Sequence, residues 1–478
     1  MAFTSHIFLF YFLPAVLLLY HAIPQRWLKI RNAVVLAAGY VFYAWVNPWF
    51  AGLLLAVTVV NYGVSLAVAA AEAKRTRILW TALAVAADLG TLAFFKYAGF
   101  AQENLNRVLS LAGHDVLPVL QVALPVGISF YTFRVIGGVV DVHRGQSLPA
   151  RSLLDFACYV SFFPQLLSGP IQRFGTIDSK SDLAPTFAEQ LAARSQTLDQ
   201  FSRGAALFML GFAKKILLAN AVGQIADAVF AAAAPGTIDA WYGALAYSFQ
   251  LYFDFSAYSE MAIGIGLMFG FECSRNFAAP YRAESISDFW RRWHLSLSSW
   301  LRDYLYIPLG GSRAGTRRTY LNLLVVFLLC GLWHGAGWTF IVWGAWHGFW
   351  LIAERFQKNM GAGVPTGLLG RCNAFFLVVI GWVIFRAADL SDAWRLLSIM
   401  SWPQRAQGGS SLLSAVIYTR GALFLMALCT VLVFQPVQGF DWVQRLSWPK
   451  VVTLAVLFAL SLMTMFAQSF RSFLYFQF

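Results

Sequence analysis

The chain has 478 residues, of which 59% are hydrophobic and 12% charged, with a net charge of +13 and a mean hydropathy of +0.62. Soluble proteins carry about 25% charged residues, so this composition excludes a water-soluble globule and predicts a polytopic membrane protein. The positive charge is typical of basic cytoplasmic loops and of contact with anionic membrane lipid. It lacks the solvated aromatic pattern of a nucleic-acid binder, so no nucleic acid is expected as a partner.

Apolar runs long enough to cross a bilayer, about 20 residues each, recur along the chain. The first, IFLFYFLPAVLLLYHAI, has no lysine or arginine before it and no small-residue cleavage site after it, so we expect a retained helix rather than a signal peptide. We predict an all-α fold with about 11–13 membrane helices, some of them re-entrant. The candidate spans lie near residues 7–23, 33–45, 49–71, 79–98, 117–141, 154–168, 204–232, 240–271, 321–350, 372–388, 421–436 and 451–467.

Polar residues interrupt the candidate span at 240–271. Asp254 and Glu260 stand in the segment YFDFSAYSE, inside an otherwise apolar run. Ionisable groups in a membrane span face the protein interior or a water-filled cavity. These acids are therefore predicted either to hold helices together or to line the side from which an acceptor enters.

The segment from Tyr281 to Arg318 mixes arginines with large aromatic residues and is amphipathic. Ser287 is predicted to cap a helix that begins at Asp288, and Pro308 is predicted to end it. Such a helix lies at the membrane surface, or dips into the bilayer and returns, with its arginines turned to phosphate or water.

The apolar run Leu321–Phe340 carries one ionisable side chain, His334, near its middle. An ionisable group in hydrocarbon costs free energy, so it marks a functional site by default; the alternative is a structural histidine bonded between helices. Nearby glycines reduce side-chain bulk and loosen the helix, which lets a ligand or another backbone come close. These glycines are Gly331, Gly335 and Gly337.

The tripeptide Trp-His-Gly recurs thirteen residues later, around His347. In a continuous helix the rings of His334 and His347 would be about 220° and roughly 20 Å apart, so they could share a metal only if the helix breaks. We expect His347 to be structural. The five cysteines show no CxxC spacing, and no metal site is predicted.

The segment DFWRRWHLSLSSWLRDYLYIPLGG, followed by CGLWHGAGWTFIVWGAWHG, resembles the signature region of the membrane-bound O-acyltransferases, specifically their bacterial alginate O-acetylation branch. The resemblance implies one domain over residues 1–478, with its catalytic region at 281–350, in which tilted helices surround a central funnel. Further segments that resemble this branch are MAFTSHIFLFYFLP at the start, LPVGISFYTF, FFPQLLSGPIQRF, YFDFSAYSEMAIGIGLMFGF, GWVIFRA and the ending FLYFQF.

From this resemblance, His334 corresponds to the invariant membrane histidine of the family, and His294 to a second histidine that is often asparagine in eukaryotic members. We expect His334 to act as a general base or as a transient acyl carrier. His294 is expected to orient the acceptor or to donate to the carbonyl oxygen. The residues predicted to bind the donor, with lipid contact as the alternative, are Arg291, Arg292, Trp293 and Arg302.

The resemblance further implies a multi-pass enzyme of the bacterial inner membrane that takes acetyl groups from cytoplasmic acetyl-CoA for O-acetylation of an exported polysaccharide. Alginate is the leading substrate, with cellulose or peptidoglycan as alternatives. The implied partners are a periplasmic acetyltransferase and the polysaccharide export machinery. A transporter subunit is the competing class, but it would predict an internal duplication with paired broken helices, and the sequence shows none.

Overall fold

The computed structural model describes residues 1–175, 185–402, 411–467 and 473–474, and these residues form helices and connections without a strand. The all-α prediction is confirmed. Most of the ending FLYFQF lies outside the described residues. The chain divides into two compact units, Met1–Phe208 with Met261–Ser274, and Met209–Glu260 with Arg275–Phe478. The single domain over residues 1–478 and the central funnel stay predictions.

The helices are numbered here in chain order. The first ten are α1 (Phe8–Ala22), α2 (Leu28–Ala44), α3 (Pro48–Ala70), α4 (Lys74–Leu111), α5 (Ile128–His143), α6 (Leu153–Val160), α7 (Phe163–Leu166), α8 (Phe187–Ala193), α9 (Leu198–Ala231) and α10 (Thr237–Met268). The others are α11 (Ile286–Trp290), α12 (Leu295–Leu301), α13 (Thr316–His334), α14 (Trp338–Asn359), α15 (Gly367–Arg386), α16 (Leu390–Ser401), α17 (Ser411–Ile417), α18 (Arg420–Val433), α19 (Gly439–Trp442) and α20 (Trp448–Ala467).

Five of the described helices are long and apolar enough to cross a membrane, namely α3, α4, α9, α15 and α20. Helices α17 and α18 would form a sixth span if taken together, although they bend by 55° at the break between them. The chain is therefore a multi-pass membrane protein. The total of about 11–13 membrane helices stays a prediction.

Two predicted spans are wrong in part. Residues 114–127 are not helical, and α5 begins only after Gly127, whose φ is +78°. A Cβ at Gly127 would lie 2.6 Å from the carbonyl oxygen of Leu166, so a side chain does not fit there. The span predicted at 154–168 breaks between α6 and α7, where Pro164 lies in the first turn of α7.

The acids in the middle of α10 are neutralised by two lysines of α9. Lys214 Nζ lies 2.6 Å from Glu260 Oε1, and Lys215 forms an ion pair with Asp254. The second oxygen of Asp254 accepts the backbone N–H of Leu474 at 2.9 Å. Since buried charges are stable only when they are paired, these contacts support the helix-contact role for both acids.

Candidate active site

The candidate span at residues 321–350 is a helical hairpin rather than one continuous helix. Helix α13 ends at His334 and α14 begins at Trp338. Between them Gly335 and Gly337 have extended backbone, with φ of −162° and −166°. A Cβ at Gly335 would collide with the ring of Phe340. The break places His334 at the turn of the hairpin.

Glycines also let the two arms of the hairpin approach each other closely. A Cβ at Gly331 would collide with the carbonyl group of Phe340, and a Cβ at Gly344 would collide with that of Phe327. Larger residues at these positions would push α13 and α14 apart. Close packing of two helices is thus the local reason for the glycine-rich sequence around His334.

Three aromatic rings surround His334. Its ring centroid lies 4.8 Å from that of Trp333, 5.1 Å from that of Trp343 and 5.4 Å from that of Phe385, and each pair is close to perpendicular. Only 5% of the residue is exposed. The imidazole is thus largely shielded from bulk water, which suits chemistry on a group that water would hydrolyse.

His294 lies between α11 and α12 in a left-handed backbone conformation, with φ of 46° and ψ of 56°. The residue is fully buried, and its ring packs edge-on against Phe255 with 4.6 Å between centroids. A non-glycine residue in this conformation costs free energy, and histidine and asparagine tolerate it better than most. The prediction of a single helix that begins at Asp288 is wrong, since α11 ends at Trp290 and α12 begins at Leu295.

The beginning of this segment also differs from the prediction. Ser285, rather than Ser287, caps α11, and its Oγ accepts the backbone N–H of Asp288 at 3.0 Å. Both serines fit the sequence rule for a helix cap, so the choice between them depends on the path of the preceding backbone.

Asn276 fixes the tautomer of His294. Oδ1 of Asn276 accepts the backbone N–H of Ser296 at 3.1 Å and its hydroxyl at 3.0 Å, so this atom is the amide oxygen. Nδ1 of His294 lies 3.3 Å from the same oxygen and therefore carries its hydrogen. Burial lowers the pKa of His294 to about 3, so the ring is neutral at pH 7 and Nε2 holds a lone pair.

The two predicted catalytic histidines lie around one shared ring. The centroid of Trp333 is 6.1 Å from that of His294 and 4.8 Å from that of His334. The structure therefore brings together two histidines that are 40 positions apart in the chain. Their catalytic roles stay predictions.

His347 is fully buried and packs against other side chains; the expectation that it is structural stays a prediction. Its Nδ1 accepts the indole N–H of Trp290 at 3.4 Å, and its Nε2 would lie 2.9 Å from a Cβ at Gly381. Because the helix breaks, Trp343 contacts both His334 and His347, with 4.9 Å between the centroids of Trp343 and His347. Sequence reasoning missed this contact. Among the described residues, no cluster of histidine, cysteine or acidic side chains could hold a metal.

Two of the residues predicted to bind the donor have very different surroundings. Trp293 is 1% exposed and packs against Trp382, with ring centroids 5.0 Å apart. Arg302 is largely exposed, and its Nε donates to Oδ1 of Asp303 at 2.7 Å. Trp293 thus belongs to an aromatic core, whereas Arg302 lies at a surface.

The other two arginines share Asp288. Nε of Arg292 donates to Oδ2 of Asp288 at 2.9 Å, whereas Arg291 approaches Oδ1 only to 3.7 Å. The side chain of Arg291 is 71% exposed. Arg291 therefore keeps more of its hydrogen-bonding capacity than Arg292, and donor binding by all four residues stays a prediction.

Comparisons with known proteins agree with the resemblance seen in the sequence. The model of MBOAT, the membrane-bound O-acyltransferase family, matches residues 143–385, which include both histidines. Over the full length of both chains, the protein is 43% identical to a probable alginate O-acetylase AlgI of Azotobacter vinelandii and 44% identical to one of Pseudomonas putida. It is 32% identical to a peptidoglycan O-acetyltransferase of Helicobacter pylori, over 100% of this chain and 97% of the relative.

Proposed function

The chain belongs to the membrane-bound O-acyltransferase family, and on that premise we propose that it moves acetyl groups from cytoplasmic acetyl-CoA across the bacterial inner membrane for O-acetylation of exported alginate. Full-length similarity to probable alginate O-acetylases supports this substrate. The proposal includes a periplasmic acetyltransferase and the export machinery as partners. The enzyme class is acyltransferase.

The observation that carries the proposal is the position of His334, buried among aromatic rings at the turn of the hairpin. In the proposed reaction, the hydroxyl of the acceptor gives its proton to a ring nitrogen of His334, and its oxygen attacks the acetyl carbonyl carbon. The carbon–sulfur bond then breaks, and the leaving thiolate takes the proton from the imidazolium. The surrounding rings keep water away from the thioester.

His294 acts as a positioning residue in this proposal. Because Nδ1 is committed to Asn276, Nε2 of the neutral ring can accept a hydrogen bond but cannot donate one. It is thus unsuited to donate to the carbonyl oxygen, and it can orient the acceptor by accepting a hydrogen bond from a hydroxyl other than the one that gives its proton to His334. Of the two roles predicted for His294, the geometry favours orientation of the acceptor.

The test uses cells that export alginate but lack their own membrane acetylase, and it measures the acetyl esters on the secreted polymer. We expect the wild-type chain to restore the esters and His334→Ala to lower them by at least about a hundredfold. Phe349→Ala, at a residue that is 58% exposed on the same hairpin, is the matched control and should behave as wild type. Full acetylation with His334→Ala, at equal amounts of protein in the inner membrane, would contradict the proposal.

The alternative role of His334 as an acyl carrier has its own readout. An acetyl group on His334 would be found by mass spectrometry of protein quenched during turnover, whereas a general base leaves the ring unmodified.

Peptidoglycan is the second candidate acceptor, because a full-length relative carries that activity in its name. The same cells report on it through acetyl esters in their digested cell wall. Acetyl esters in the cell wall, without esters on the secreted alginate, would identify peptidoglycan as the acceptor instead of alginate.

A further inference from the structure

A cavity of about 450 Å³ lies at the end of α14 remote from the hairpin turn. Its walls come from the start of α11, from the first turns of α13, from the last turns of α14 and from residues 364–366. This volume is within the range of small-molecule sites in proteins, about 300–1,000 Å³. The cavity contains charges of both signs, so its net charge depends on which charged groups are paired with residues elsewhere.

The three carboxylates of the cavity are committed to other partners. Glu354 accepts the backbone N–H groups of Ile286 and Ser287. Asp288 accepts Nε of Arg292, as described above. The third, Glu284, accepts the backbone N–H of Gly367 at 3.1 Å and Nη2 of Arg371 at 2.9 Å.

The three cations of the cavity are, by contrast, exposed, and among the described residues only Arg291 has a carboxylate partner, at a long distance. Arg355 and Lys358 are exposed and form no ion pair within the part of the chain that the structure describes. Arg291 is 3.7 Å from a carboxylate that Arg292 already holds more closely. Asp288 and Glu284 are paired with Arg292 and Arg371, so one unpaired carboxylate, Glu354, faces three cations and the net charge of the cavity is positive.

We propose that this cavity binds a phosphate group. Phosphate offers several acceptor oxygens and no obligatory donor, which matches two guanidinium forks and one ammonium. Ser287 and Tyr306, which carry hydroxyl groups, also line the cavity. Leu323 and Leu351 supply an apolar surface for the organic group that carries the phosphate.

Two sources share this chemistry, the headgroup of an anionic phospholipid and the phosphate of a soluble thioester donor. Helix α13 connects the cavity with the histidine, because Thr319 lines the cavity and His334 follows fifteen residues later, about 22 Å along the helix axis. A donor held here by its phosphate therefore needs a long linker to bring its thioester to His334. Only this donor source rests on the proposed function.

The experiment measures binding without turnover, so that its failure is separate from a failure of the proposed acetyl transfer. Coenzyme A is titrated into the purified full chain in neutral detergent, and phosphatidylglycerol retained from mixed vesicles is counted by native mass spectrometry. Arg355→Ala/Lys358→Ala is compared with Arg420→Ala/Arg445→Ala, which removes the same charge from exposed residues outside the cavity.

If the donor is the ligand, the affinity for coenzyme A falls at least about tenfold in the cavity variant and changes less than about twofold in the control. If a lipid is the ligand, retained phosphatidylglycerol falls in the cavity variant only. Arg355→Gln/Lys358→Gln repeats both measurements with longer side chains in case the alanine variant does not fold. Equal binding of both ligands by cavity and control variants overturns the proposal.

Discussion

The two halves of α14 lie in contrasting surroundings, although eight residues, about 12 Å of helix, separate His347 from Arg355. The aromatic half carries Trp343 and His347, both fully buried against other rings. The charged half carries Glu354, Arg355 and Lys358 beside the cavity.

This contrast shows that the two halves of one helix have different roles, because their surroundings differ. Close-packed rings in the aromatic half hold a histidine in a fixed, dry place, and they contribute stability through packing. Exposed charges in the charged half contribute little stability but remain available to a ligand. Substitutions along the helix should therefore show a gradient in the free energy of unfolding.

The largest effect is expected in the aromatic half. Trp343→Ala removes a fully buried ring that contacts both His334 and His347, and it should lower the free energy of unfolding by about 3–5 kcal/mol. The measurement is denaturant unfolding in mixed micelles. Trp338→Ala, at a tryptophan of the same helix that is 48% exposed, should cost less than about 1 kcal/mol. Equal losses in the two variants would remove the distinction between buried and exposed rings.

Burial also makes stability depend on pH near these rings. The pKa of His294 is lowered from 6.5 to about 3 in the folded chain, so between these values the unfolded chain binds one more proton. The free energy of unfolding is therefore highest above pH 6.5 and falls as the pH is lowered. The decrease due to His294 is about 2 kcal/mol between pH 6.5 and 5. His294→Asn should flatten the slope of unfolding free energy against pH, and an unchanged slope would refute this assignment.

A smaller effect is expected where the charged half begins. Glu354→Ala leaves the backbone N–H groups of Ile286 and Ser287 without their acceptor, at a cost of about 1–2 kcal/mol. Glu354→Gln keeps one acceptor oxygen and should lose about half as much. The same unfolding measurement compares them, and a glutamine variant less stable than the alanine variant would argue against a capping role.

The smallest effect belongs to the cations of the cavity. Arg355→Ala/Lys358→Ala should change the free energy of unfolding by less than about 0.5 kcal/mol per residue, since both side chains are exposed and without an ion pair among the described residues. Thermal unfolding in the absence of phosphate measures this change. A loss of several kcal/mol would mean that these side chains support the fold rather than a ligand.

Long, uniformly apolar helices could be predicted from the sequence because their signal extends over many residues. The span expected at 49–71 is observed as Pro48–Ala70, and that expected at 451–467 as Trp448–Ala467. The hairpin at His334 could not be predicted in this way. Glycines interrupt neither the length nor the hydropathy of the run, and the close approach of Gly335 to Phe340 is visible only in the structure.

The residue types of the site could be predicted from the sequence, whereas most of its contacts could not. His294 and His334 could be named, but the contact of His294 with Asn276 joins residues 18 apart across an irregular segment. One missed contact did have a signal in the sequence. Lys214 and Lys215 stand inside an apolar run, and the next run contains two acids, so pairing between them could have been predicted from the cost of unpaired charge in a membrane.

The left-handed backbone at His294 also limits how its chemistry can be probed. A leucine or valine at this position would change the backbone energy as well as the imidazole, so an inactive variant would report misfolding and lost proton chemistry together. Asparagine and glycine are the replacements that leave the local chain path undisturbed. Mutational scans that use bulky apolar residues will therefore overstate the chemical importance of this residue, and only the asparagine and glycine variants can separate the two contributions.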